Sequence, residues 1–287
     1  MADARRAGIS GVEMEYSTYI KDPDILLDMK EADLRISCFY QFFEFGKNYD
    51  AGIKIGKKMI RTAKKLGVSR VMIIPGFILD RKALKISASA DDYEKTRELM
   101  EKLPEIIAMR QGLRTLARYA MKNGIQACIE DFDALNSPIS RINEIRYFLE
   151  EIPELGHALD TGNYIFSDED ILEAFEQFKD RIVHVHCKDR GMDKNDECDK
   201  NWFPEGFKNR KGLYPVAVGD GYIPMKEVVS KVLATGYDGY FAIEHFGARK
   251  QLEYMKKSAD FLRTGFFVPR KVKAFKADRV TKKNEDQ

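Results

Sequence analysis

Short apolar runs typical of β-strands alternate along the chain with longer stretches in which apolar residues recur at helical spacing. The strand-like runs are Gly11–Tyr16, Leu34–Tyr40, Arg70–Ile74, Gln126–Phe132, Gly156–Asp160, Arg181–Cys187 and Gly239–Phe246. The helical stretches between them are Asp24–Ala32, Ala51–Lys65, Asp91–Lys122, Ser140–Glu151, Asp168–Phe178, Pro224–Leu233 and Lys250–Leu262. Repeated strand–helix units of this kind predict parallel strands joined by helical crossovers.

The number of units favours a (β/α)8 TIM barrel, which takes about 250 residues, over an open doubly wound sheet. No glycine-rich phosphate loop follows the first strand, which argues against a Rossmann or P-loop fold. A closed barrel needs eight strands, and the sequence opens with Ala2–Gly8, which has the pattern of a helix that should follow an earlier strand. We therefore expect strand 1 to be missing from the N-terminus, with a gap beside Gly11–Tyr16.

The missing strand has two explanations. In the first, Met1 is an internal methionine of a longer protein; in the second, the segment Val268–Phe275 fills the gap. That segment shows some alternation but contains Pro269 and several lysines, which are poor residues for a central strand. An unfilled gap removes one wall of the substrate pocket, so we expect weaker substrate binding than metal binding.

Two further segments, the C-terminal tail and a long stretch before the last predicted helix–strand pair, depart from the alternation of strand and helix patterns. We assign residues 1–267 to a TIM-barrel catalytic domain and residues 268–287 to a basic C-terminal tail. The stretch Lys188–Tyr222 reads as one long loop and contains the only tryptophan, Trp202. Loops of that length in compact domains usually serve function, so we expect this loop to cover the active site.

Composition narrows the class of protein. The 287 residues are 44% hydrophobic and 33% charged, which excludes a disordered chain and a small disulfide scaffold. The net charge of +2 argues against a nucleic-acid partner, and no apolar run approaches the roughly 18 residues of a membrane span. The N-terminus lacks the apolar stretch of a signal peptide, and four scattered cysteines form no CxxC pair. We expect a cytoplasmic protein with reduced thiols and no membrane partner.

Ionisable residues stand at the ends of four predicted strands: Glu130, Asp160, His186 and Glu244. In a parallel barrel these ends meet at one face, where the active site lies. Such groups would repel and desolvate one another unless a cation bound them. Three carboxylates and one imidazole form an oxygen-rich set, which favours Mn²⁺ and is also compatible with Mg²⁺, Co²⁺ or Zn²⁺.

The strand ends read IEDF, LDTGN, VHVHCKD and FAIEH, and VGDGYIP precedes the last helix–strand pair. In order and spacing, from about Gly11 to Phe266, they resemble the sugar phosphate isomerase/epimerase family of xylose-isomerase-like TIM barrels. The resemblance implies that the same four residues bind the metal. It also implies that Glu130 and Glu244 are the proton-transferring pair, and that Lys188 and Arg190, in an HxKDR-like stretch, face the substrate.

Three more residues are candidates for substrate contact: Asn163, His184 and Trp202. Asn163 stands where many members of the family carry a histidine after Asp-x-Gly, which leaves the substrate unassigned. His184 shares a strand face with His186 but lies one step deeper, so it can also be interpreted as a packed barrel histidine. Trp202 belongs to the long loop.

The resemblance implies a metal-dependent sugar isomerase or epimerase that abstracts a proton next to a carbonyl through an enediolate. A lyase of the same superfamily, similar to inosose dehydratase or to the catalytic subunit of a 3-oxo-C-glycoside deglycosidase, would form the same intermediate. An endonuclease IV-like nuclease needs many histidines, and this chain has four. A non-enzymatic sugar-binding module would gain little from the metal cluster. The sugar, its phosphorylation and the choice between a homo-oligomer and a small companion subunit stay open.

Overall fold

The computed structural model describes residues 1–192, 212–248 and 250–267. The strands are β1 (Gly11–Glu15), β2 (Arg35–Phe42), β3 (Arg70–Ile74), β4 (Gln126–Glu130), β5 (Leu155–Asp160), β6 (Ile182–Cys187), β7 (Asp189–Met192), β8 (Leu213–Val216) and β9 (Phe241–Ile243). All but β7 and β8 form one parallel, seven-stranded sheet in the order β1-β2-β3-β4-β5-β6-β9. The sheet curves into a nearly closed barrel with its core between the strands and the surrounding helices.

The helices follow the strands in the crossover positions that the alternation predicts. They are α1 (Ala2–Arg6), α2 (Tyr16–Lys21), α3 (Ile25–Glu31), α4 (Tyr49–Leu66), α5 (Asp80–Ser87), α6 (Tyr93–Glu101), α7 (Pro104–Lys122), α8 (Ile142–Glu151), α9 (Ile171–Phe178), α10 (Met225–Ala234) and α11 (Gln251–Leu262). Within the described residues, no helix combines the length and the apolar character needed to cross a membrane.

The barrel is open between its first and last strands. Within the described ranges β1 pairs only with β2 and β9 pairs only with β6, which confirms the prediction of seven barrel strands and a gap beside β1. The Tyr240 ring lies so close to Gly11 that a Cβ there would be 2.7 Å from it, so this ring occupies the gap at the amino ends of the two strands. The alternative filler, Val268–Phe275, lies outside the described residues, as does the rest of the tail.

The predicted helix Asp91–Lys122 is wrong as a single element, because the chain breaks between α6 and α7. Leu103 is extended, with φ −97° and ψ 115°, and Pro104 begins α7. A proline disfavours helical backbone in the residue before it and suits the first helical turn, so it separates the two helices. The predicted loop Lys188–Tyr222 also needs correction, because its described ends form the antiparallel pair β7–β8.

Helix α7 packs closely against the Phe45 ring, which lies in the segment between β2 and α4. A Cβ added to Gly112 of α7 would lie 2.6 Å from the Phe45 ring, which is 1% exposed. That ring also stacks on Phe43, with 5.0 Å between the centroids and 4° between the planes. The contact therefore leaves no space for a methyl group at Gly112.

We expect Gly112→Ala to destabilise the protein by about 1–2 kcal/mol. Overpacking a core costs roughly 1–3 kcal/mol, which exceeds the gain of about 1 kcal/mol from replacing a helical glycine with alanine. Urea unfolding measures the difference, with Gln111→Ala on the exposed face of the same helix as the matched control. Equal midpoints for Gly112→Ala and Gln111→Ala would show that the Phe45 ring moves aside at little cost.

Candidate metal centre

Four of the residues named from the sequence meet at the carboxyl end of the barrel. Each of Glu130, Asp160, His186 and Glu244 offers a ligand atom, and these atoms all lie within 4.8 Å of one another. The parallel register explains this, because Glu130 pairs with Ala158, Asp160 with His186, and His186 with Ala242. Asp160 and His186 therefore lie at the same level, while Glu130 and Glu244, which directly follows β9, are each offset from that pair by two residues.

The imidazole of His186 is the centre of the group. Its Nδ1 lies 2.7 Å from Glu130 Oε1, 3.0 Å from Glu244 Oε2 and 3.7 Å from Asp160 Oδ2. His186 is 3% exposed and Asp160 is fully buried. Three carboxylates thus face one nitrogen, and the Glu244 side chain, which is 31% exposed, is the most accessible of the three.

These distances shift the acid–base equilibria strongly. Burial opposes a charge on His186, but the Glu13 and Glu130 carboxylates raise its pKa well above the usual range. Burial raises the pKa of Glu130 to about 7, and the charges on Glu244 and Asp160 act in the same direction. Desolvation opposes ionisation of Glu244, yet the Lys188 ammonium and His186 lower its pKa well below the usual range. The three carboxylates of the cluster therefore carry more negative charge than His186 alone can balance.

Lys188 supplies part of that charge. Its Nζ lies 2.9 Å from Asp160 Oδ2 and 2.7 Å from Glu244 Oε1, and it donates a hydrogen bond to Asn163 Oδ1 at 2.9 Å. These carboxylates raise the pKa of Lys188 although burial lowers it, so the side chain is a cation. Lys188 also lines the cavity above the cluster.

Asp160 is held with one oxygen pointing into the cluster. Its Oδ1 accepts a hydrogen bond from the Gly162 amide at 2.7 Å, and its own amide donates to Asp131 Oδ1 at 2.9 Å. The buried Oδ2 accepts no hydrogen bond of regular geometry, although the Lys188 ammonium is close. An available oxygen beside two glutamates and an imidazole fits a hard divalent cation, so the residues present suit Mg²⁺ or Mn²⁺.

The other residues named from the sequence occupy different positions. Asn163 and Arg190 are buried, and among the described residues neither lines the cavity. Arg190 pairs with Asp133 at 2.9 Å, and Asn163 donates to the Asp131 carbonyl while it accepts from Lys188. Both side chains support the site from behind the cavity, and their direct contact with a substrate stays a prediction. Trp202 lies outside the described residues.

His184 lies one step below His186 and is fully buried. Its Nε2 contacts Glu13 Oε1, and the side chain makes no contribution to the cavity lining. The two histidine rings pack edge to face, with centroids 5.4 Å apart. The structure thus places His184 in the barrel interior, outside the lining of the described cavity, and its contact with a substrate stays a prediction.

Glu13 is a site residue that the sequence analysis missed. It lies on β1, lines the cavity, and places Oε1 at 3.0 Å from His186 Nε2. Burial raises the pKa of Glu13, but His186 and His184 lower it by more than burial raises it. The resulting pKa is about 2. The sequence offered one signal for this residue, because Glu13 is a carboxylate in the middle of the first strand-like run. Side chains alternate between the two faces of a strand, and one of those faces lines the barrel.

A cavity of about 1480 Å³ lies above the cluster. It is lined by Tyr40, Glu130, Lys188 and Glu244 near the cluster and continues to Leu252 of α11. This volume exceeds the roughly 300–1,000 Å³ of ordinary ligand pockets. The excess follows from the open edge between β1 and β9, because residues on both sides of that edge line the cavity.

We expect Lys188→Met to lower the free energy of unfolding by about 3–5 kcal/mol in EDTA, because it leaves buried carboxylates without their cation. Added Mn²⁺ should bind the variant at least as tightly as the wild type and recover part of the loss. Thermal unfolding with EDTA and with Mn²⁺ measures both effects, and the exposed Lys226→Met is the matched control. If Lys188→Met lost the same free energy of unfolding in EDTA and in Mn²⁺, the added cation would not replace the charge of the Lys188 ammonium.

Comparisons with known proteins agree with this fold. The family model described as a xylose isomerase-like TIM barrel matches residues 1–265. An inosose dehydratase of Lacticaseibacillus casei is 28% identical over 253 residues, which cover 83% of this chain and 78% of the relative.

Solved structures show the same fold at low identity. A xylose isomerase-like TIM-barrel protein from Mycobacterium smegmatis in complex with magnesium has a TM-score of 0.64 and 16% identity, covering 92% of this chain and 86% of that one. A D-allulose 3-epimerase from Methylomonas sp. in complex with D-allulose has a TM-score of 0.63 and 15% identity, covering 92% and 89% of the two chains.

Proposed function

Because this chain belongs to the xylose isomerase-like TIM-barrel family, we propose that it is a metal-dependent carbohydrate enzyme that removes a proton next to a carbonyl group. One observation carries the proposal: His186 Nδ1 lies 2.7 Å from Glu130 and 3.0 Å from Glu244, with Asp160 beside them, under an open cavity. A purely structural cluster would gain nothing from facing a cavity of this size.

Glu130, Asp160, His186 and Glu244 would hold the metal, for which Mn²⁺ and Mg²⁺ are the best candidates from the donor set. A divalent cation at this point supplies a Lewis acid for the carbonyl and for the negative charge of an enediolate. The magnesium complex of the Mycobacterium smegmatis structure supports a hard cation. The side chains of this chain provide the other functions that the reaction needs, which are proton transfer and substrate binding.

Glu130 and Glu244 provide the acid–base pair. They approach His186 from β4 and from the end of β9, so they reach a bound sugar from different sides of the barrel. One carboxylate takes the proton from the carbon next to the carbonyl, and the other acts as the acid on the opposite face. Lys188, between Asp160 and Glu244, lines the cavity and donates a hydrogen bond to a substrate oxygen.

The fate of the enediolate separates two candidate activities. Return of a proton on the other face gives an epimerase or isomerase, and the D-allulose 3-epimerase shares the fold. Loss of a hydroxyl from the neighbouring carbon gives a dehydratase, and a sequence relative that is similar over 83% of this chain is an inosose dehydratase. Sequence similarity therefore favours elimination from a cyclic keto-sugar, while the residues in the centre serve both outcomes.

Incubation of the Mn²⁺-loaded protein in D₂O with inosose, D-allulose or D-fructose tests the proposal. We expect deuterium at the carbon next to the carbonyl in NMR spectra. An epimer as product would show the first activity, and a dehydrated product absorbing in the ultraviolet would show the second. An epimer or isomer formed without any solvent deuterium would contradict exchange through proton abstraction and would point to a hydride shift or a shielded proton relay. A dehydrated product is judged by its residual substrate and by the carbon at which its enol takes up a proton, because elimination returns no proton to the carbon that lost one.

A further inference from the structure

We propose that Glu13 is a positioning residue that fixes the ring orientation and tautomer of His186, so that Nδ1 is the nitrogen available to a divalent cation. The inference rests on the proposed metal site and adds a role for a residue outside it. It concerns how the protein prepares one ligand.

The two nitrogens of His186 face different partners. Nε2 lies 3.0 Å from Glu13 Oε1, whereas Nδ1 faces Glu130, Glu244 and Asp160. A neutral imidazole carries one proton, and the hydrogen bond of one nitrogen decides which nitrogen can bind a metal. A proton on Nε2 donated to Glu13 leaves the Nδ1 lone pair directed at the three carboxylates.

Glu13 is itself held in place for this contact. The same oxygen, Oε1, contacts Nε2 of the fully buried His184. The β1–β2 register also shifts between Val12 and Glu13, at the point where β1 turns this side chain toward β6. Irregularities of this kind change the direction of a side chain and are common next to active sites. The carboxylate therefore has one position, and His186 has one orientation that satisfies it.

A carboxylate behind a histidine ligand raises the basicity of the imidazole and fixes its orientation. Loss of such a partner typically lowers metal affinity about 10–100-fold. Glu13 is only 16% exposed at its side chain, so water would replace it poorly.

A competing role exists for the same residue. Glu13, Cys38 and His184 offer ligand atoms within 4.8 Å of one another, so they could hold an ion of their own. In that case Glu13 would be a metal ligand, and the chain would bind two ions. The stoichiometry of metal binding separates the two roles.

The test compares Glu13→Ala and Glu13→Gln with the wild type. Glu15→Ala is the matched control, because Glu15 is the next residue on the same face of β1 and pairs with Ser17. Calorimetric titration of the metal-free proteins with Zn²⁺, a diamagnetic probe, gives affinity and stoichiometry. We expect one ion per chain in all four proteins, with an affinity about 10–100-fold lower in Glu13→Ala. Glu13→Gln should lose less, because its amide oxygen still accepts a hydrogen bond, and Glu15→Ala should bind as the wild type does.

Histidine ¹⁵N spectra supply a second measurement, which stays usable if Glu13→Ala folds poorly. The chain has four histidines, so substitution of each assigns the spectrum. In the Zn²⁺-loaded wild type we expect His186 with a proton on Nε2 and zinc on Nδ1, and in Glu13→Gln an increased share of the other form. A structural role alone would lower the melting temperature of the metal-free variants without changing affinity or tautomer, and that result would overturn the inference.

Two other results bear on the idea. Binding of two Zn²⁺ ions, one of them lost in Cys38→Ser, would make Glu13 a ligand and overturn the positioning role. Absence of Zn²⁺ binding in the wild type would refute the proposed metal centre as a whole, whereas equal affinity in wild type and Glu13→Ala would refute only the role of Glu13.

Discussion

Glu244→Gln is expected to lower the affinity for Mn²⁺ by about 100-fold or more. The substitution removes one of three carboxylates around His186 Nδ1 and replaces an anionic oxygen with a neutral one. Loss of an outer partner already costs about 10–100-fold, so loss of a direct ligand should cost at least the upper value. Elemental analysis after mild purification and titration of the metal-free protein measure the change.

The control for this experiment is Glu15→Gln, which changes a carboxylate on a barrel strand outside the cluster. It should retain the metal content of the wild type. Equal metal content in wild type and Glu244→Gln, or no metal in either protein, would contradict the assignment of the four residues to one ion. Metal loss in both variants would indicate a general effect of barrel charge.

Glu130→Gln should lower turnover by about 10²–10⁴-fold when Mn²⁺ is saturating, because an amide can neither accept nor return the proton of the substrate. Glu244→Gln should lose turnover to a similar extent. The two variants should differ in solvent exchange. Suppose that each glutamate serves one face of the sugar. The variant that still has the glutamate that removes the proton from a given substrate then incorporates deuterium from D₂O into that substrate, although it forms no product.

This pair of measurements separates acid–base chemistry from metal loss. Exchange and turnover are followed by NMR in the same sample at Mn²⁺ concentrations that saturate each variant in a separate titration. Retained turnover in Glu130→Gln would assign the proton transfer elsewhere, with Lys188 as the nearest candidate. Loss of exchange with both epimers in one variant, and retained exchange with both in the other, would mean that one glutamate serves both faces.

The alternation of strand and helix patterns predicted the barrel because it reflects a local rule. Parallel strands need crossovers, and each crossover helix must bury one face, so the spacing of apolar residues carries the topology. The break at Pro104 was misread because the apolar spacing continues across it, and a proline suits both the start of a helix and a short loop. The gap beside β1 was also predictable, since seven strand-like runs are one fewer than a closed barrel needs.

The four strand-end residues were predictable for the same reason: a parallel register brings consecutive strand ends to the same end of the barrel. Lys188 was named from a motif, but its pairing with Asp160 and Glu244 depends on where the chain turns after β6.

The contacts of Glu13 and the positions of Asn163, His184 and Arg190 are visible only in the tertiary structure. Glu13 and His186 are 173 residues apart in the chain and meet only because β1 and β6 face each other across the barrel. The opposite pKa shifts of the two glutamates, upward through burial at Glu130 and downward through the Lys188 and His186 charges at Glu244, also depend on every strand being in place. A sequence determines which residues stand at the end of a strand, because the end of a strand is set locally. The curvature and register of the sheet decide which side chains face each other across the barrel. Both arise from all the strands together.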